Sequence, residues 1–117
     1  MKYGFIGCGN MGGALIKALA SATKEIILAD FFKEKAQNLA MELNLKTGTN
    51  EEVVASSKFV FLAVKPQMYS DVLLSLKDVL KEKKPVIITI AAGIKMEKIT
   101  EILGFSLPII RIMPNTP

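Results

Sequence analysis

Three glycines spaced G-x-G-x-x-G follow the first apolar run of the chain. Gly7, Gly9 and Gly12 come directly after Tyr3–Ile6, and an amphipathic pattern begins at Met11. Between a strand and a helix, the first glycine allows a tight turn, the second lets the backbone approach a pyrophosphate, and the third lets the helix pack closely. Unpaired N–H groups of the first helical turn would point at the phosphates. This context favours a dinucleotide cradle over the alternative, a purely structural turn.

An aspartate follows the second apolar run, about 20 residues beyond the glycines, where dinucleotide-binding domains carry the acid that meets the adenosine ribose. Asp30 comes directly after Ile26–Ala29. A carboxylate there accepts hydrogen bonds from a 2′-hydroxyl and repels a 2′-phosphate, which favours NAD. Lys33 and Lys35 follow, and they could pair with a phosphate or be ordinary exposed residues of a first helical turn. The two signals conflict, and the residues alone leave the cofactor open.

Two later apolar runs end in residues that could line a ligand site, because ligands of open α/β sheets lie at the carboxyl ends of strands. The run 59–64 leads into Lys65 and Pro66, and Pro66 is expected to break the strand. Lys65 could be a catalytic cation or a solvated residue at a strand end. The run 86–91 leads into small residues at 91–93, where a flat ligand could lie, or which could form a plain turn.

The chain has few residues of the types that act in acid–base or nucleophilic catalysis. It has 117 residues, no histidine and one cysteine, which excludes thiol–imidazole and hydroxyl–imidazole pairs and zinc sites within it. Cys8 lies inside the glycine motif and is expected to be a small filler of the turn. We therefore expect neither a catalytic side chain nor a metal site, and a bound cofactor would supply the reactive group.

Charge and apolar patterning favour a small ligand as the partner. The net charge is +4, from 15 basic and 11 acidic residues, and the basic residues form no block of the kind that binds nucleic acid. The apolar runs are far shorter than the roughly 20 residues of a membrane helix, and no signal-peptide pattern opens the chain. A lone cysteine weakly indicates a reducing compartment. We expect a cytoplasmic protein that binds neither nucleic acid nor membrane.

Strand-like and helix-like patterns alternate along the whole chain. Runs rich in Val, Ile and Phe, typical of parallel strands covered on both faces, occupy Tyr3–Ile6, Ile26–Ala29, 59–64, 86–91 and 109–113. Helical periodicity predicts helices around 11–19, 36–43, 69–80 and 96–103, the last ended by Gly104. Asn50 is expected to cap a short helix, and residues 46–47 weakly predict an edge strand. Together these predict one α/β domain over residues 1–117, a doubly wound, mostly parallel, Rossmann-like sheet with helices on both faces.

Four segments together resemble the pyrroline-5-carboxylate reductase family. In chain order they are Gly4-Phe5-Ile6-Gly7-x-Gly9-Asn10-Met11, Ala63-Val64-Lys65-Pro66-Gln67, Ala91-Ala92-Gly93-Ile94, and RIMPNTP from Arg111 to Pro117. The match covers the full chain, and the combination is specific where the glycine motif alone is not. The resemblance implies a cofactor-binding domain of an enzyme in which NAD(P)H reduces the C=N bond of 1-pyrroline-5-carboxylate to give L-proline.

The resemblance also implies a role for individual residues. The pyrophosphate would lie over Gly7, Cys8, Gly9, Asn10 and Met11, with Gly12 packing the helix behind them. The adenosine ribose would be surrounded by Asp30, Phe31, Lys33 and Asn50. The channel toward the nicotinamide would be lined by Ala63, Val64, Lys65, Pro66, Ala91, Ala92 and Gly93. NADP-preferring members usually carry a small neutral residue in place of Asp30, so we expect NADPH to bind but NADH to be used at least as well.

The family continues into an all-helical domain that forms the dimer and supplies most of the substrate site, and that domain is absent from residues 1–117. By the resemblance we expect this chain alone to be inactive and to associate through an exposed apolar face, and the full-length protein to be a homo-oligomer. A stand-alone nucleotide-binding regulatory module remains an alternative. So does another NADP-dependent reductase with a similar N-terminal domain, although the Lys-Pro-Gln and Met-Pro-Asn-Thr-Pro segments argue against it.

Overall fold

Strands and helices alternate along the computed structural model, which describes residues 1–90 and 93–112. The strands are β1 (Tyr3–Ile6), β2 (Ile26–Ala29), β3 (Lys46–Thr47), β4 (Phe59–Leu62), β5 (Val86–Thr89) and β6 (Ile109–Arg111). The helices are α1 (Asn10–Ala20), α2 (Lys33–Leu43), α3 (Asn50–Ser56), α4 (Tyr69–Ser75), α5 (Lys77–Lys83) and α6 (Met96–Leu103), and a 3₁₀ turn covers Pro66–Met68. Within the described ranges, each helix is too short or too polar to cross a bilayer.

All six of these strands pair in parallel, in the order β3-β2-β1-β4-β5-β6. This is the order of a doubly wound sheet, in which the winding changes direction between β1 and β4 and leaves a crevice at their carboxyl ends. The register aligns Ile6 with Ala29 of β2 and with Leu62 of β4. The three loops that follow these strands therefore start side by side. The predicted fold class and the predicted edge strand at 46–47 are both confirmed.

The sheet is covered on both faces because successive strand residues point to opposite sides. On one face, Ile6, Val60 and Ile87 join a cluster built from α3, α4, α5 and α6. On the other face, Phe5 and Phe61 stack with their ring centroids 4.2 Å apart, in a cluster that includes residues of α1 and α2. The near-continuous apolar runs of the strands follow directly from this double burial.

Three predicted strands end earlier than their apolar runs. β4 stops at Leu62, because β1 turns away at Gly7 and the last bond on that side runs from the Ala63 N–H to the Ile6 carbonyl, at 2.8 Å. The expectation that Pro66 breaks the strand is wrong, since Pro66 instead opens the 3₁₀ turn four residues later. β5 stops at Thr89 and β6 at Arg111, whereas the predicted strand ends at residues 91 and 113 lie outside the described residues.

Two helix boundaries also differ from the sequence-based expectation. The cap of α3 is Thr49, not Asn50: the Thr49 hydroxyl accepts from the Glu52 N–H at 3.1 Å, and the Glu52 carboxylate accepts from the Thr49 N–H at 2.9 Å. Thr followed by Glu three residues later is the capping-box pattern. The helix predicted over 69–80 is divided at Leu76, whose φ of −106° and ψ of 3° leave helical geometry. Its apolar stripe nevertheless stays buried.

A buried tyrosine ties the carboxyl ends of two strands together. The Tyr69 hydroxyl donates to the Leu62 carbonyl at 2.9 Å and lies 2.8 Å from the Thr89 hydroxyl. Leu62 and Thr89 are the last residues of β4 and β5. Tyr69 and Thr89 are both almost fully buried, so if the Tyr69 hydroxyl is removed, water cannot readily replace it as the partner of the Thr89 hydroxyl.

We therefore expect Tyr69→Phe to lower the free energy of unfolding by about 1–3 kcal/mol, the usual cost of leaving a buried polar group unpaired. Urea denaturation followed by circular dichroism measures the change. Tyr3→Phe is the matched control, because it removes the same hydroxyl from a half-buried side chain that still reaches solvent. Equal stability of the two variants would contradict the assigned role of the Tyr69 hydroxyl.

Candidate functional site

The turn after β1 brings three chain segments closer together than side chains would allow. Gly7 has φ +103°, and a Cβ there would lie 2.6 Å from the Ala63 carbonyl carbon. A Cβ on Gly12 would lie 2.7 Å from the Gly7 carbonyl oxygen and 2.8 Å from the Ala63 Cβ. Real Cβ atoms do not approach so closely, so glycine is required at both positions. The predicted roles of Gly7 in the turn and Gly12 in helix packing are confirmed.

The N-terminus of α1 opens from this turn without a side-chain cap among the described residues. Gly9 is the residue before the helix, and a Cβ added there would have no atom within 4 Å. The first-turn N–H groups of a helix have no intrahelical partners. Together with the helix dipole they form a site for an anion. The open space over Gly9, beside the exposed Asn10 and Met11, fits a pyrophosphate close to the backbone.

A cleft of about 380 Å³ lies beside this loop, between the end of β2, α2 and the start of α3. Its lining includes Asp30, Lys33, Asn50 and Glu52, so the structure brings together three of the four residues expected around a ribose. Asn50 is free to line the cleft because Thr49, and not Asn50, caps α3. Glu52 was missed by the sequence analysis, although its capping-box spacing from Thr49 could have placed it at this loop.

Asp30 connects the glycine loop to the start of α2. Its Oδ2 accepts a hydrogen bond from the Cys8 N–H at 2.6 Å, and its Oδ1 accepts one from the Phe32 N–H at 2.8 Å. Phe31, the fourth residue expected near the ribose, points outward: it is 78% exposed, and its ring meets the Phe32 ring edge to face at 5.2 Å. Phe31 therefore lies next to the cleft without lining it.

The two lysines that could meet a phosphate separate in the structure. Lys33 lines the cleft beside Asp30. Lys35, two residues further along α2, places its Nζ 5.7 Å from the centroid of the Phe32 ring. It lines a different groove of about 690 Å³ between α1 and α2, which also includes Lys17 and the glycine-loop residues 8–10. Of these two lysines, Lys33 is the one that lines the cleft together with the two carboxylates.

The exit of β4 lies on the other side of the glycine loop. Ala63 packs under Gly7 and Gly12, and Val64 is half-buried against the core. Lys65 is exposed at the start of the 3₁₀ turn, as is Pro66. This exposure is compatible with both predictions for Lys65, a catalytic cation and a solvated residue at a strand end. Gly93 is exposed with φ +83° and open space around it, while Ala91 and Ala92 lie outside the described residues.

Cys8 is chemically quiet in this setting. Its side chain is buried, and its Sγ lies 3.6 Å from the Ala29 carbonyl oxygen, to which the thiol donates. Burial raises the pKa of the Cys8 thiol to about 12; the Asp30 carboxylate adds to this rise, and the Lys35 ammonium opposes it. The thiol stays protonated near neutral pH, as expected of a filler of the turn and not of a nucleophile.

Alkylation of Cys8 by iodoacetamide at pH 8 should accordingly be slower in the folded chain than in the urea-unfolded chain, on the order of a hundredfold or more, because only the thiolate reacts. Above pH 9 the folded-state rate should keep rising with pH, since its pKa is about 12, whereas the unfolded-state rate levels off near the ordinary value of 9.0. Mass spectrometry gives both rates, since the chain has one cysteine. A folded-state rate that levels off near pH 9 would contradict the raised pKa.

Comparison with known proteins places this architecture among oxidoreductases. Residues 2–93 match the family described as NADP oxidoreductase coenzyme F420-dependent. The chain is also similar to the pyrroline-5-carboxylate reductases of Aquifex aeolicus, at 37% identity over 98% of this chain and 43% of that protein, and of Haemophilus influenzae, at 40% identity over 97% of this chain and 42% of that protein. The chain thus spans less than half the length of these relatives.

Solved structures give the same result. The pyrroline-5-carboxylate reductase of Coxiella burnetii matches with a TM-score of 0.90 at 31% identity, over 99% of this chain and 44% of that one. The enzyme of Plasmodium falciparum, solved with NADP bound, matches with a TM-score of 0.80 at 32% identity, over 100% of this chain and 43% of that one. The resemblance seen in the sequence motifs is confirmed, and since the family match spans most of its residues, the chain belongs to the NADP oxidoreductase coenzyme F420-dependent family.

Proposed function

We propose that residues 1–117 act as the NAD(P)H-binding domain of an enzyme that reduces 1-pyrroline-5-carboxylate to L-proline. The observation that carries this proposal is identity of 37–40% to pyrroline-5-carboxylate reductases over nearly the whole chain. The geometry supports it independently, because an uncapped helix N-terminus behind open space at Gly9 adjoins a cleft that holds a carboxylate. Substrate contacts would come from an all-helical C-terminal domain, as the resemblance implies.

On this proposal the dinucleotide runs across the carboxyl edge of the sheet. The pyrophosphate rests on the backbone of residues 7–11 at the start of α1, where N–H groups stabilise its charge. The adenosine ribose enters the cleft beside Asp30, Lys33 and Asn50. The nicotinamide would be held by residues 63–66 after β4 and, as the resemblance implies, by residues 91–93.

The bound cofactor would supply a hydride to the C=N carbon, and the imine nitrogen takes up a proton. This chain has no histidine, and its one thiol is held protonated by burial. Its contribution is therefore to hold the dinucleotide in one orientation at the strand ends and to keep water from the ring, which lowers the entropic cost of reaction. An imine that is protonated readily in water needs no strong acid from the protein.

The activity can be tested in a chimera that joins residues 1–117 to the C-terminal part of the Aquifex aeolicus reductase. We expect it to oxidise NADH or NADPH in the presence of 1-pyrroline-5-carboxylate, with proline detected as the product. Gly9→Ala should reduce kcat/KM by about tenfold or more, the effect of losing roughly 1.4 kcal/mol, because its Cβ enters the space meant for the pyrophosphate but touches nothing in the fold.

The matched control is Gly13→Ala, four residues along α1, where an added Cβ would be 3.5 Å from the Cys8 carbonyl oxygen, an ordinary contact. We expect near-normal activity from it. A folded chimera that binds the cofactor but forms no proline would contradict the proposed substrate. Equal activity of the two alanine variants would contradict the proposed position of the pyrophosphate.

We further propose that this domain uses NADH at least as well as NADPH. The support is the balance of charge in the cleft, where the described lining residues include two carboxylates, Asp30 and Glu52, and one cation, Lys33. Lys35, the other candidate partner of a 2′-phosphate, lines a different groove. Two carboxylates beside a doubly charged phosphate would repel it, whereas a carboxylate accepts hydrogen bonds from a 2′-hydroxyl.

Titration of the chain with each cofactor, followed by nicotinamide fluorescence, should give a Kd for NADH no larger than that for NADPH. Asp30→Ser should shift the ratio of the two affinities toward NADPH by about fivefold, the effect of removing a like charge across water. Glu34→Gln, an exposed change of charge in the first turn of α2, is the control and should leave the ratio unchanged. An unaltered ratio in Asp30→Ser would rule out Asp30 as the source of the preference.

We also propose, from the resemblance and the single cysteine, that the full-length enzyme is a cytoplasmic homo-oligomer whose partner is the small-molecule substrate and not a nucleic acid or a membrane.

A further inference from the structure

Both oxygens of the Asp30 carboxylate accept hydrogen bonds from backbone N–H groups of the protein. One oxygen accepts from the Cys8 N–H at 2.6 Å and the other from the Phe32 N–H at 2.8 Å. The bond to Cys8 is short, as hydrogen bonds to a charged acceptor are, and such bonds are about twice as strong as neutral ones. Asp30 thus joins three segments, the end of β2, the start of α2 and the loop between β1 and α1.

Cys8 is the residue between the two glycines whose geometry shapes that loop. Gly7 on one side has φ +103°, and Gly9 on the other is extended, with φ −71° and ψ −165°. Three hydrogen bonds hold the loop among the described residues. The Gly7 N–H donates to the Ala29 carbonyl at 2.8 Å, the Cys8 thiol donates to that same carbonyl, and the Cys8 N–H donates to the Asp30 carboxylate. Removing the carboxylate takes away the acceptor that the Cys8 N–H has in this structure.

We propose that Asp30 is a positioning residue for the phosphate loop as well as an acceptor for the ribose. By holding the Cys8 N–H, the carboxylate fixes the peptide that leads into Gly9 and hence the direction of the first N–H groups of α1. The inference rests on the proposed cofactor function and deepens it, because it couples the ribose side of the site to the pyrophosphate side. A neutral residue at position 30 then weakens binding of nucleotides that offer no ribose hydroxyl at all.

The ligands that separate the two roles are ADP and 2′,3′-dideoxy-ADP, which carry the same pyrophosphate with and without ribose hydroxyls. We expect Asp30→Ser and Asp30→Asn to lower the affinity of the chain for both ligands, by about tenfold for the dideoxy compound, measured by isothermal titration calorimetry. Glu34→Gln, which removes one negative charge from an exposed position in the same helix turn, should leave both affinities within twofold. Unchanged binding of dideoxy-ADP with weakened binding of ADP would overturn the inference and leave Asp30 as a ribose acceptor only.

Amide hydrogen exchange in the ligand-free chain provides a second readout that does not depend on binding. In the wild-type chain the Cys8 amide should be protected, and Asp30→Ala should abolish that protection, because alanine removes both acceptor oxygens. The Gly7 amide, bonded to Ala29, is the internal reference and should stay protected if the fold is intact. Equal protection of Cys8 in both chains would overturn the inference.

Failure of the proposed function is distinguishable from failure of this inference. A wild-type chain that is folded and binds neither ADP nor NADH would overturn the cofactor site, and the exchange of the Cys8 amide would still decide whether Asp30 holds the loop. Binding by the wild-type chain, with dideoxy-ADP bound equally well by Asp30→Ser, would leave the cofactor site standing and remove the positioning role.

Discussion

A close approach of β1, α1 and the exit of β4 at the carboxyl edge of the sheet is the constraint on which the site depends. Added Cβ atoms at Gly7 and Gly12 would lie 2.6–2.8 Å from atoms of Ala63 or of the glycine loop, so β1, α1 and the exit of β4 can meet only if both positions lack side chains. That contact sends the chain from β1 into α1 over a single tight turn. It also ends the pairing of β4 with β1, because β1 leaves the sheet at the same level.

The same edge gathers polar groups that the core could not hold. The four central strands, β2, β1, β4 and β5, are buried on both faces, so backbone and side-chain polar groups that bind ligands must lie beyond the strand ends. The helix N-terminus, the Asp30 carboxylate and the cleft at the start of α3 collect there. Asp30 is the link between them, since its two oxygens meet the loop after β1 and the turn before α2. The negative charge of Asp30 therefore also holds two backbone segments in place.

Sequence patterns predicted the elements better than their ends. Apolar runs predicted the positions of the main strands because buried strands consist of apolar residues. An apolar run does not show where the neighbouring strand stops pairing, so β4 and β5 are shorter than the runs that predicted them. Asn50 looked like a cap by residue type, yet Thr49 has the better spacing, with Glu52 three residues on. Likewise, two neighbouring lysines are equivalent in sequence, and helical rotation sends Lys33 into the cleft and Lys35 away from it.

The sequence by itself determined the alternation of strands and helices, the glycine turn and the acid after β2, because these depend on local sterics and on hydrophobic period. It also carried the family resemblance, since that lies in short segments of contiguous residues. Only the tertiary structure decided that the Asp30 carboxylate holds the Cys8 N–H and that Asn50, Glu52 and Lys33 share one cleft. Such contacts join residues far apart in the chain, and their distances follow from strand register and helix packing, which no local pattern encodes.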